Sequence, residues 1–183
     1  MSSLDYEYQV LRNTVAARGT VRMVLVPLTF IAWAALGTLL LLFSQLPAAT
    51  LLPLAVLAAG FEAIHALHIG VERIGRYLQV FYEETLNEEP SARARWETTA
   101  MAGSPALPGG GVDPLFAVLF SVAVAFNLCL AVVPGPTKVE AGVIGAVHLA
   151  VLLRIVRARV AAASQRPKDL EHYRSLLCQR DRQ

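Results

Sequence analysis

The chain has 183 residues, of which 55% are hydrophobic and 16% charged, with a formal net charge of +2 and a mean hydropathy of +0.50. That balance is too apolar for an ordinary soluble domain of this size and too nearly neutral for a nucleic-acid binder, which needs a surplus of Lys and Arg. Long charge-free runs make it an integral membrane protein instead.

Residues 1–22 open with Leu4, Tyr8, Leu11 and Val15 at steps of four, three and four, the spacing of one helix face. Ser2 or Ser3 can cap its start. The pattern predicts a short amphipathic cytoplasmic helix, with Arg18, Gly19 and Arg22 marking a turn into the membrane. Asp5 and Glu7 precede the first apolar run, which is too long for the core of a signal peptide, so Met23 to Phe43 is expected to stay as a span.

Four spans are predicted, at about 23–43, 51–69, 114–133 and 139–156. Each approaches the length needed for a hydrocarbon core of about 30 Å at about 1.5 Å per residue. Pro27 and Gly37 are tolerated in such helices. The first two spans are joined by a short loop with Pro47, the last two by Pro134, Gly135 and Pro136, and Asp113 with Pro114 opens the third. Between them, 70–113 begins as a charged extension of the second helix and continues through Pro90, Trp96, Pro105, Pro108 and Gly109 to Gly111 as a loop, with Trp96 at the membrane interface. The tail, 157–183, is basic; Pro167 is expected to interrupt it before a last amphipathic segment containing Leu170, Tyr173 and Leu177.

Lys and Arg set the orientation, because cytoplasmic flanks hold their excess. The N-terminal flank carries Arg12, Arg18 and Arg22, the central segment Arg73, Arg76, Arg93 and Arg95, and the tail counted from Arg154 eight more, whereas the two short turns hold only Lys138. Both termini and the central loop are therefore expected on the cytoplasmic side of the plasma (inner) membrane. The fold class is all-α: a four-transmembrane-helix bundle, a long second helix projecting into the cytoplasm, and amphipathic helices at both ends.

The chemistry concentrates in the second helix. Glu62, His65 and His68 lie within its apolar half, and with Glu72, Arg76, Gln79 and Glu83 they fall on about one third of its circumference. Counting from the span ends puts His148 of the fourth span near the level of Glu62 and Arg154 near that of His68. Three uses compete. Glu62, His65 and His148 have the donor chemistry for a single transition metal, and His65 or His68 with His148 that for a haem, although a dinuclear carboxylate site would need a second Glu-x-x-His motif that no other span supplies. Alternatively Glu62, His65, His68 and Glu72 relay protons or ions, with Thr50, Asn127 or helices from another copy extending the path outward. In the third, Glu62 is protonated or pairs with Arg154, the histidines hydrogen-bond across helices, and the protein works by binding something else.

The third use ranks first: a non-enzymatic binding or assembly subunit, surrounded by membrane lipid and acting as a homo-oligomer or as part of a larger membrane complex. Its cytoplasmic partner surface is assigned to Tyr77, Phe81, Glu83 and Glu84. Charge partners are sought among Glu72, Arg76 and Arg154, and Arg154, Arg157 and Arg159 form a lipid-headgroup anchor. Stripes of small residues at Ala55, Ala59 and Ala63 and at Gly142, Ala146 and Ala150 are the candidate helix contacts. Cys129 reads as a small buried hydrophobe and Cys178 as a free thiol. Phosphate-loop, zinc-protease and nucleophile-elbow motifs are absent from the sequence.

Overall fold

The structure is a computed structural model that describes residues 3–44, 46–84 and 114–180, with side chains over 6–44, 46–82 and 117–179. The described residues form four α-helices: α1 (Ser3–Phe43), α2 (Leu51–Leu78), α3 (Pro114–Val132) and α4 (Lys138–Arg180). A 3-10 turn, Pro47–Thr50, leads into α2, and a π-helical turn, Gln79–Glu84, ends it. Three helices are long and apolar enough to cross a membrane, and α3 adds a shorter apolar stretch, Ala117–Val132. The described residues are all-helical, as in a membrane protein built on apolar helices.

Two expected breaks are absent. α1 runs through Arg18, Gly19 and Arg22 as one 41-residue helix. α4 likewise carries Pro167 inside its 43 residues. A proline removes one donor and crowds the preceding turn, a local cost of about 3 kcal/mol, and here Ala, Gln, Arg and Lys nearby are good helix formers through which the helix continues. The predicted loop over 87–113, with Trp96 and the glycine run, lies outside the described residues.

The chain divides into two compact units. The first comprises Met1–Val21, Leu67–Asp113 and Val160–Gln183, and the second Arg22–Ala66 and Pro114–Arg159.

The second unit is the apolar one. Its core joins Leu54, Leu57, Phe61 and Ile64 of α2 to Phe120 and Val124 of α3 and Ile155 and Ala158 of α4. Rings lock this core: Phe30 of α1 and Phe61 lie 5.1 Å and 5.6 Å from Phe120, and Trp33 meets Phe126 edge-on at 6.0 Å. Lipid tails are as apolar as leucine, so these helices gain by close packing rather than by escape from water. Gly60 allows that packing, since a Cβ there would overlap the side chain of buried Thr29 on α1. Large apolar side chains such as Met23, Ile31, Leu42 and Phe43 remain exposed on α1, as a lipid-facing surface requires.

The first unit gathers the N-terminal part of α1, the end of α2 and the end of α4. Tyr8 packs on Tyr82 at 5.4 Å, and Tyr173 stands edge-on to Tyr77 at 5.9 Å. Leu78 and Val80 are fully buried. The π-helical turn widens the helix by one residue, which changes the face that residues after Leu78 present.

Candidate functional site

The polar side chains of the second unit fall into two groups of different character. The first is a buried network around Asn127 of α3. Its Oδ1 accepts from the Trp33 indole N–H at 3.1 Å, and its Nδ2 donates to the Thr50 carbonyl at 3.0 Å and to Nε2 of His148 at 3.0 Å. Nδ1 of His148 lies 2.7 Å from the Ile144 carbonyl, which can only accept. The hydrogen therefore sits on Nδ1 and Nε2 carries the lone pair, so the neutral Nδ1–H tautomer is the one that satisfies every group. Asn127 uses both donors and its carbonyl, and it is 0% exposed, with His148 at 1%. The result is a closed polar knot that ties α1, the 3-10 turn, α3 and α4.

The second group lies on the surface of the same unit. Arg154 of α4 donates to Oε2 of Glu62 on α2 at 2.7 Å, and the two side chains keep 48% and 47% of their exposure. Glu62 stands about 16 Å along α2 from Leu51, well inside an apolar stretch. A charged residue at the centre of a membrane helix costs about 2.5–3.5 kcal/mol on insertion scales, which a single ion pair open to lipid offsets only in part. His65, half-buried, stacks on Phe61 with ring centres 5.7 Å apart, within electrostatic reach of both charges. Around Glu62 the exposed residues of α2 are small, Ala55, Ala59, Ala63 and Ala66, as are Gly142, Ala146 and Ala150 leading to Arg154 on α4.

This arrangement divides the set Glu62, His65, His68 and His148. His148 bonds to an amide and Glu62 to a guanidinium, and His68 belongs to the first unit. Among the described residues no group of three or more His, Cys, Asp or Glu side chains could hold a metal ion, so the Glu62, His65 and His148 triad does not form. The level counting fails for a physical reason. Axial register between helices follows from side-chain packing rather than from loop ends, and the Asn127 bonds set His148 level with Thr50, at the start of α2 instead of its middle.

The remaining predicted residues are placed as follows. In the first unit Arg76, 2% exposed, donates to Asp169 of α4 at 2.5 Å and to Glu72 one turn back at 3.2 Å. Gln165 donates to the second Asp169 oxygen at 2.9 Å. Burial, followed by the Asp169 charge, holds the Tyr173 hydroxyl above the ordinary phenol range. Tyr77 and Phe81 stack at 4.6 Å and are half-buried, and Tyr77 donates to Glu7 at 3.0 Å. The side chains of Glu83 and Glu84 lie outside the described residues. Of the lipid anchor, Arg157 and Arg159 are exposed while Arg154 is engaged by Glu62. Cys129 is exposed, not buried, as is Cys178.

The sequence reading missed Trp33 as a polar partner and Asp169 as the acid for Arg76. Neither has a local signal, because each partner lies more than ninety residues away. It also missed a capping box that opens α4: Thr137 and Glu140 bond reciprocally, with Thr137 N–H and Oγ1 donating to the Glu140 carboxylate at 2.9 and 2.8 Å. That one was legible as Thr-x-x-Glu. No protein-family model matches the chain, and no curated protein or solved structure matches it either.

Proposed function

We propose that the chain is a non-enzymatic, multi-pass component of a membrane assembly, with four crossings and with both termini and the 70–113 segment on the cytoplasmic side of the plasma (inner) membrane. Its working surface is the helical module of the first unit, where a partner would rest on the half-buried rings of Tyr77 and Phe81 and the acidic end at Glu83 and Glu84. One observation carries this reading. Three helices run on past their apolar stretches and pack into a module with its own buried centre, Arg76 held between Glu72 and Asp169. A buried arginine with two carboxylates tolerates few alternative packings, and a rigid module is what a docking platform needs.

The test is site-specific photocrosslinking from position 81 in the full chain in its native membrane, beside Phe81→Ser and Glu62→Gln variants. A discrete crosslinked partner that Phe81→Ser releases and Glu62→Gln retains supports the assembly role. The competing use, a small channel, a transporter or a metal- or haem-bearing redox protein, requires that Glu62→Gln or His148→Ala abolish ion flux or cofactor binding. Flux in liposomes, or a metal or Soret band lost in those two variants, would overturn the proposal.

A further inference from the structure

The exposed pair between Glu62 and Arg154 points to an interface of the membrane unit that is independent of the partner surface above. We propose that this face of α2 and α4 is the contact between two copies of the chain, related by a two-fold axis along the membrane normal.

The two side chains satisfy each other at 2.7 Å, yet each keeps nearly half its surface open on a unit whose other exposed side chains are mostly apolar. Their remaining donors and acceptors need partners that lipid tails cannot supply. The patch is also self-complementary: one acid on α2 stands beside one base on α4. A two-fold rotation about the membrane normal reverses the direction of that pair within the membrane plane. Each copy's Arg154 then faces the other copy's Glu62, and four charges alternate in a ring.

A second copy is the occupant that the charge pattern favours. An anionic lipid headgroup would be drawn to Arg154 but repelled by Glu62, and Glu62 lies about 16 Å down the helix from Leu51, away from the headgroup layer on that side. The surroundings also suit close approach of helices. Ala59, Ala63 and Ala66 flank Glu62, and Ala150 sits one turn before Arg154, all exposed.

Disulfide trapping in the full chain, expressed in its native membrane without Cys129 and Cys178 (Cys129→Ser, Cys178→Ser), tests the interface. Ala63→Cys should crosslink to a dimer about tenfold more than Ile31→Cys, an exposed position on α1, and Glu62→Arg or Arg154→Glu alone should each reduce that dimer about tenfold. The two charge variants expressed together with different tags should form the mixed dimer again. In that pair every Arg faces a Glu across the interface while neither chain retains its internal ion pair. A single chain carrying both changes should dimerise like the natural one, which shows that the altered residues still fold and insert. The proposal fails if the mixed dimer does not return, if Ala63→Cys crosslinks no better than Ile31→Cys, or if the crosslinked product contains a different protein.

Discussion

Two ion pairs join α2 to α4, and they are built in opposite ways. In the first unit Arg76 of α2 is buried and shared by two carboxylates, whereas in the second unit Arg154 of α4 meets a single carboxylate and stays half exposed. The first is closed within the chain: its charges are desolvated together, and removing one strands the others. The second shows a single bond among the described residues, and each of its side chains keeps nearly half its surface open. The Asn127 network shows that the membrane unit can bury and saturate polar groups completely. The openness of the Glu62 pair is therefore a property of its position on the surface and not of a unit unable to enclose charge.

The largest expected effect tests the closed pair. Arg76→Ala leaves the part-buried carboxylates of Asp169 and Glu72 without their cation and should destabilise the first unit by about 3–5 kcal/mol, seen as early proteolysis of the tail after Pro167 in membrane vesicles. The saturated network comes next. Asn127→Leu strands the Trp33 N–H, the Thr50 carbonyl and His148 and should cost about 2–3 kcal/mol in all. In a Trp96→Phe background, thermal unfolding followed by Trp33 emission would report both the lower midpoint and the altered surroundings of the indole. Gly60→Ala, which forces α1 from α2 at Thr29, should cost about 1–3 kcal/mol in the same assay.

The open pair should behave differently. Glu62→Gln in detergent-solubilised monomer is expected to change the unfolding free energy by no more than about 1 kcal/mol, the range for exposed pairs, while self-association in the membrane falls. Equal losses in both measurements would put the pair in the same class as Arg76 and remove the contrast. The smallest effect is expected at Gly70, where an added Cβ meets only the flexible guanidinium of Arg18. Gly70→Ala should be neutral or stabilise by up to about 1 kcal/mol through helix propensity.

Several features were legible from residues alone because they are local. Apolar runs and their lengths gave the membrane helices, Pro114 and Pro134 to Pro136 marked helix ends, and the polar residues within apolar stretches stood out as Glu62, His65, His68, Asn127 and His148. Where helices would stop was less legible. Arg18, Gly19 and Pro167 look like punctuation, but each lies inside a continuous helix, where the helix formers on either side outweigh the local cost of about 1 kcal/mol for Gly and about 3 kcal/mol for Pro.

What the sequence by itself determined is the solvent each segment prefers and the inventory of groups that need partners, since both depend only on side-chain chemistry and chain-local spacing. The tertiary structure decided who meets whom. His148 shares a level with Thr50 and Asn127 rather than with Glu62, and Arg154 takes Glu62. Helix register is set by how the rings of Phe30, Phe61 and Phe120 and the contact of Gly60 with Thr29 fill space. A shift of one turn, about 5.4 Å, would break every one of those bonds without changing a single feature of the sequence pattern.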